Sequence, residues 1–567
     1  MEFFIDDNDY GLGVNKGILP PVYKMNFIQL PVRDREYFGE WLNVCWDTDL
    51  AINVLATDIH ARVDAEKHDD YRVMRAAVER EVKLLDVSAA LIVCKPDDLL
   101  DNIAQLEEDF NLPRGVNSRR NKLYNSSYYD ATNVNPGNVK EHIKYAKMGG
   151  FRSMKIRYRD IVESAPSWGK NGDFDWRASI YPNGSEDLKV LLETIKSEGI
   201  TPGLHFLHTH IGRESRYVTP IPDHRLNLLR HFTLAEPLGI NDTVLFVEEN
   251  PRYTTLADGM RVLKIGTELI SYTNYTTTWP YTFTGCERGV DKTTINSQSI
   301  GTIFGLLDVS EFGTQRSVYI DQKSSLQDEI AEKIQKIYNT GFEFCYFDGS
   351  EGVNPPFWFN VAYAQWRVYK RFDSQPIYAE GAAKSHFSWH MLSGGNAFDV
   401  FRPEVLKEEI KRWPAQQAKR MKEDFSRVNF GWLGYFVPSS RTIGTQPDMI
   451  EYATSLAAAW DCPVSLNASL ESFKNHARTA DNLEVFRRWE EVRAKNWLTE
   501  EQKRQLRDVN QEYHLLLNEQ NQFELHPYEQ ITAVAGGNEE IRAFLFQREG
   551  VYHVVYWHIS GNKKLEL

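Results

Sequence analysis

From residue 126 onward the hydrophobic positions alternate between two patterns. Short apolar runs of strand type are followed by stretches in which apolar residues return every third or fourth position. "SSYYDAT" belongs to the first kind. "NPGNVKEHIKYAKMGG" belongs to the second, with a proline at its start and a glycine pair at its end, and predicts a helix. "FRSMKIRY" predicts a strand, "SEDLKVLLETIKSEG" a helix ending in glycine, and "ITPGLHFLHTHIG" a strand. The rhythm resumes with "SSLQDEIAEKIQKIYNTG" as helix, "FEFCYFDGS" as strand, "NVAYAQWRVYKRF" as helix and "QPIYAEG" as strand. "HFSWHMLSGG", "VNFGWLGYF" and "CPVSLNAS" bring the strands to eight.

Strands alternating with helices imply βα units and a parallel sheet. Eight such strands close into a barrel more readily than they stay open. No GxGxxG follows the first strand, as a dinucleotide-binding open sheet would have it. The expected fold class is α/β, a (β/α)8 TIM barrel over residues 116–484. Residues 1–115 read as a β-rich N-terminal domain, because "EWLNVCWDTDLAINVLATDIHARVD" mixes alternation with β-branched residues. The helical pattern "DDLLDNIAQLEEDFNL" follows, and the polar "PRGVNSRRNKLYNSS" reads as a linker. "RVLKIGTELISYTNYTTTWPYTFTGCERG" is rich in Thr, Tyr, Ile and Val with glycine turns. It predicts a small β insertion at about 242–305, after the third strand. Residues 485–567 read as a charged helix and a C-terminal antiparallel β domain.

Composition narrows the function classes. Of 567 residues, 42% are hydrophobic and 25% charged, as in ordinary globular chains. Aromatic residues reach 13%, and aromatic rings are the surfaces on which sugar rings stack, so the excess leans toward carbohydrate. The net charge of -14, with no dense Lys/Arg cluster, argues against a nucleic-acid partner. The cysteines (Cys45, Cys94, Cys286, Cys345, Cys462) form neither a zinc pattern nor a disulfide framework and read as small buried residues. No run approaches the roughly 18 apolar residues of a membrane span. The start "MEFFIDDNDYGLG" lacks a basic n-region and an apolar h-region. The chain is expected in the cytoplasm if Met1 is native, and in the periplasm or outside the cell if a leader was removed.

In a closed βα barrel the active site lies at the carboxyl ends of the strands. "FEFCYFDGSEG" carries an apolar run into Asp348, with Glu351 three residues on. Glu380 ends the fifth strand and Asp399 follows the sixth. Asp130 ends the first, Lys155 and Arg157 lie at the second, and His208 and His210 follow the third. Singly, each reads as a structural ion-pair or hydrogen-bond partner, and Asp348 as a helix cap. Together they form a rim crowded with titratable groups. A glycosidase needs two carboxyl groups, about 5 Å apart for retention and roughly 6.5–9.5 Å for inversion. Asp348 with Glu380, Asp399 or Glu351 meets that need. His208 and His210 share one side of a strand. Zinc is the less favoured use of this pair, since zinc hydrolases of this kind place HxH on the first strand; contact with sugar hydroxyls is favoured. No cofactor is expected, although the sequence leaves room for a structural Ca2+.

"DWRASIYPNGSEDLKVLLETIKSEGITPGLHF" resembles the stretch that leads into the third strand of retaining α-galactosidases and their barrel relatives. "FCYFDGS" resembles the fourth-strand segment ending in the nucleophilic Asp of that clan, and still more the corresponding segment of α-L-fucosidases. The likeness covers about residues 125–470. It implies a barrel glycosidase cleaving an α-linked sugar with retention. Asp348 would be the nucleophile, and the acid/base position would fall loosely on Asp399, with Glu380 and Glu351 still open. Tyr346 stands where the clan carries a Lys, and His390 lies near where a sixth-strand Arg is absent. His208, His210, Trp389, His390 and Asp130 are expected to meet the sugar, and Lys155 and Arg157 to hold a uronate carboxylate. Two rivals remain: a polysaccharide lyase on the same barrel, acting on a uronate polymer, and a non-catalytic carbohydrate-binding protein.

Overall fold

The computed structural model describes residues 22–31, 35–38, 42–67, 71–79, 85–164, 168–310, 317–385, 387–396, 402–423, 425–534 and 540–561. At its centre is a ring of parallel strands: Tyr128–Ala131, Ser153–Arg157, Thr201–Leu207, Phe344–Asp348, Ala379–Gly381, Gly394–Asn396, then Arg427–Asn429 with Trp432–Gly434, and Ser465–Ala468. The seventh strand is broken. Its first half pairs with the sixth strand and its second half with the eighth, which pairs with the first. Gly431, at φ +112°, sits at the break, where a side chain would be strained. The ring therefore closes, as the eight-strand pattern predicts.

The barrel strands are apolar almost throughout because both faces are covered. Helix Ser185–Ser197 turns Leu188, Leu191, Leu192 and Ile195 onto the sheet. Helix Ser325–Tyr338 does the same with Leu326, Ile330, Ile334 and Ile337. Two local readings change. "HFSWHMLSGG" is a strand only at Gly394–Asn396, because Ser388–Met391 makes a helical turn closed by Leu392 N–H on the Ser388 carbonyl. The polar "linker" contains helix Gly115–Arg120, with Val116 and Arg119 buried.

Flanking sheets surround the barrel. Two antiparallel sheets precede it, ordered Val22–Pro31, Tyr71–Glu79, Arg62–Lys67 and Arg35–Phe38, Asn43–Trp46, Ala51–Ala56, Ala89–Cys94. Between the third and fourth barrel strands the chain leaves to build two further sheets, with strands from Leu228–Thr233 to Ile303–Leu307. These enclose their own apolar cluster around Phe232, Leu263, Ile270 and Phe283. Hairpin Val262–Ile265/Glu268–Ser271 turns at Gly266–Thr267, and Arg288 grips the buried Glu268 at 2.6 Å through both Nε and Nη2. A four-stranded antiparallel meander from Glu512–Leu517 to Val551–His558 ends the described chain. Among the described residues no helix is long and apolar enough to cross a membrane.

Candidate active site

The fourth strand alternates, with Tyr346 and Asp348 turned into the barrel and Phe347 packed outside against Phe206 and His208. Gly349 follows at φ +81°. A Cβ there would lie 2.7 Å from His210 Nδ1 and 2.8 Å from Leu207 Cδ2, so glycine is needed for the turn. The turn brings Gly349 N–H back to Asp348 Oδ1 at 3.0 Å. The other carboxylate oxygen, Oδ2, is 2.9 Å from His205 Nε2. The His205 ring lies nearly parallel to Tyr158 and Tyr346, at 6.2 and 5.7 Å, with the Trp432 ring 5.7 Å away at a steep angle.

Burial by itself would push the Asp348 carboxyl up. The hydrogen bond and charge of His205, the Lys155 ammonium and the Gly349 amide outweigh it and hold the group below the ordinary carboxylate range. Burial pushes His205 down despite the attraction of Asp348. Because the Asp348 carboxylate is ionised it accepts, and His205 Nε2–H donates. The Asp348 side chain keeps 19% exposure, against 6% for His205.

Beneath this pair lies a closed charge cluster. Asp130 accepts from Arg157 Nη2 at 2.8 Å and Asn467 Nδ2 at 2.7 Å, and stands 3.5 Å from Lys155 Nζ. Lys155 and Asp130 side chains are both 0% exposed. Burial opposes the charge on Asp130, yet Arg157 and Lys155 hold it well below the usual range. Burial lowers Lys155 to about 8, and its ammonium sits 3.5 Å from the centre of the Trp432 ring.

The structure brings together Asp348, Arg157, Lys155 and Asp130, and places several of the expected residues in the interior. Lys155 and Asp130 have no exposed side-chain surface. Glu380 is also interior, 1% exposed, and accepts from Tyr128 Oη at 3.0 Å, Asn429 Nδ2 at 3.3 Å and Arg427 Nη2 at 3.4 Å. These bonds make it the hub of the barrel core rather than a rim acid. His208 is fully buried, with Nδ1 on the Asp348 carbonyl at 3.0 Å and Nε2 on Ser350 Oγ at 2.9 Å. Burial lowers it to about 4. His210 is buried against Tyr319 at 4.2 Å. Both histidines fix the turn behind Asp348 instead of meeting hydroxyls. Trp389 is buried under the Arg119 guanidinium, 3.7 Å from its ring centre, and leaves no face for a sugar. His390 is buried between Glu107 Oε1 at 2.8 Å and the Ala56 carbonyl at 3.1 Å, on the seam with the N-terminal sheets. Glu351 lies in the turn after Asp348, 7% exposed. Asp399 lies outside the described residues.

Four contributors escape the sequence reading: His205, Trp432, Arg159 and Asp160. Alternation along "ITPGLHFLHTHIG" carries the signal for His205, since Phe206 faces the helices and His205 the interior. Asp160 accepts from Val134 N–H at 3.2 Å, and burial raises it to about 6. Among the described residues no group of three or more His, Cys, Asp or Glu could hold a metal ion.

No family model matches the chain, and no curated protein matches it. Solved structures do. A GH36 α-galactosidase from Geobacillus stearothermophilus in complex with raffinose is 10% identical, over 94% of this chain and 68% of that one, with a TM-score of 0.41. An α-galactosidase from Thermus thermophilus in complex with stachyose is 12% identical, over 87% and 91%, with a TM-score of 0.38. A GH31 family sulfoquinovosidase from E. rectale is 9% identical, over 90% and 69%, with a TM-score of 0.41. The barrel itself is defined by its own hydrogen-bonded ladder.

Proposed function

We propose that the chain is a glycoside hydrolase that cleaves an α-linked sugar with retention, with Asp348 as nucleophile. The observation that carries the reading is Asp348 itself. It ends the central barrel strand, keeps part of its side chain open, and is held ionised in a fixed rotamer by His205 and the Gly349 amide. A nucleophile in this chemistry must be an unprotonated carboxylate at the carboxyl edge of the barrel. The carboxylate attacks the anomeric carbon while a second acid protonates the departing glycosidic oxygen. Water, deprotonated by that same residue, then releases the sugar from the enzyme. Glu351 and Asp399 are the candidates for the acid, since Glu380 is bound up in the core.

A lyase needs an accessible Tyr or His base. Tyr158 and Tyr346 are buried, and burial raises the Tyr158 phenol, which favours the hydrolase. The test compares wild type with Asp348→Asn on a panel of aryl α-glycosides, with reducing ends and ultraviolet absorbance followed together. We expect release of the aryl group by the wild type and a loss of at least about 10³-fold in the variant, the scale for removing a nucleophile. Undiminished turnover by Asp348→Asn removes Asp348 from the chemistry, and a gain in ultraviolet absorbance on a uronate polysaccharide without net addition of water assigns the lyase.

A further inference from the structure

Of the charged side chains at the ends of the first four barrel strands, two stay open: Asp348 at 19% and Arg157 at 15% exposure. A carboxylate there serves the proposed reaction. The guanidinium is not accounted for by it. Arg157 donates through Nη2 to Asp130, which Asn467 and Lys155 already support. Its Nε is buried without a partner, and its Nη1 makes no hydrogen bond among the described residues. Most of its planar donor fork is therefore unused, in a setting where an unused charged donor is costly.

The local charge is otherwise balanced. Lys155, Arg157 and Arg159 stand against Asp130, Asp348 and Asp160, the last raised by burial to about 6 and so mostly ionised at neutral pH. Arg159, two residues beyond Arg157, forms no ion pair among the described residues, and burial, followed by the neighbouring Arg157 guanidinium, disfavours its charge. A neutral sugar offers the unused Arg157 fork no charged acceptor. A sugar with a negative group does, and guanidinium matches carboxylate and sulfate oxygens in geometry as well as sign. Lys155 cannot share the task, because its ammonium is sealed beneath Trp432.

We infer that the sugar taken at this mouth carries an anionic group, a carboxylate or a sulfate ester, and that Arg157 holds it through its open Nη1 end beside Asp348. The inference takes its location from the glycosidase reading, but binding tests it without turnover. Calorimetry would compare glucuronic and galacturonic acid, the hexose 6-sulfates and the parent neutral hexoses, on wild type, Arg157→Gln and Arg157→Lys. The wild type is expected to bind one charged class at least about tenfold more tightly than the neutral sugars, the scale of one or two charge-assisted hydrogen bonds. Added salt should reduce the preference. Arg157→Gln should abolish it, and Arg157→Lys, which keeps the ion pair with Asp130 and guards against a folding defect, should keep only part. Which charged class binds separates a uronate from a sulfated sugar. Equal or better binding of neutral hexoses, no binding of any charged sugar, or an undiminished preference in Arg157→Gln overturns the inference. Hydrolysis of the matching aryl glycosides is then scored separately. Anion preference without hydrolysis would sink the glycosidase reading and leave the anion site standing.

Discussion

Two aspartates near the barrel mouth show how position sets protonation. Asp348 and Asp160 are both largely buried, and burial pushes both carboxyls up. At Asp348 an imidazole, an ammonium and an amide reverse the shift. At Asp160 two backbone amides and two nearby arginines do not, and the group reaches about 6. A folded-state value raised above the unfolded value of about 3.9 favours the neutral form. Below about pH 4 Asp160 therefore adds no penalty, and stability is lost as pH rises through about 6. Asp160→Asn keeps an oxygen to accept from Val134 N–H and removes the charge. It is expected to stabilise the fold at pH 7.5 by on the order of 2–3 kcal/mol and to be neutral near pH 4. Denaturant melts at the two pH values check this. A variant equally or less stable at pH 7.5 would show that Asp160 is well served as an anion.

The turn Asp348–Ser350 is the element on which the mouth depends. It is built from a positive-φ glycine, His208 on the Asp348 carbonyl, and Thr209 Oγ1 donating to the Gly349 carbonyl. Gly349→Ala is both strained and crowded against His210 and Leu207. We expect it to cost about 1–3 kcal/mol in stability and about 10²-fold in kcat, the effect of moving a reacting group by an ångström or so. Melting curves and steady-state rates on one aryl glycoside separate the two, and unchanged kcat would mean the turn does not set the carboxylate. This turn also marks how far the sequence could be read. Apolar runs ending in polar residues identify the barrel strands because both faces are buried and only the tip meets solvent. That logic placed Asp348 at a strand end. It could not separate rim from interior, since Lys155, Glu380 and Asp130 are equally polar and equally terminal, and only the inward stagger of neighbouring strands seals them off. His205 is hard to single out because a histidine inside an apolar run looks like core. Trp389 and His390 read as mouth residues only if the sixth strand is long, and a helical turn just before Gly394–Asn396 keeps it short.

At the largest scale, the C-terminal sheet meets the barrel through an apolar cluster, where Leu515, Phe523 and Leu525 join Ala459, Trp489 and Val492. It also meets it through two buried carboxylates, Asp448 and Glu451, and Glu451 accepts from Leu515 N–H at 2.8 Å. The seam between helix Pro447–Ala459 and this sheet contains a cavity of about 280 Å3, bordered by Val485, Tyr528, Phe544 and Trp557. Packing there is thus incomplete. Asp448, fully buried, bridges it. Arg542 Nε from strand Ile541–Arg548 reaches Oδ1 at 2.8 Å, and Lys407 from helix Leu406–Arg412 reaches Oδ2 at 2.9 Å. Lys407 also meets Glu512 of the sheet at 2.7 Å. Burial opposes the Asp448 charge, but Lys407 and Arg542 lower its pKa to about 2. A depressed folded-state value gives stability that is present above about pH 4 and lost as pH falls through about 2. The loss for this group is on the order of 2–3 kcal/mol. Hydrogen exchange should therefore show strands 512–558 losing protection on acidification before the barrel strands do. Asp448→Asn should lower their protection at pH 7 and flatten its pH dependence between about 4 and 2. Leaving Lys407 and Arg542 facing a neutral amide is costly in its own right, so the sheet should open in this variant while the barrel core stays closed. If sheet and barrel instead exchange together in both proteins, the apolar contacts around the cavity suffice and the carboxylate is not the tie.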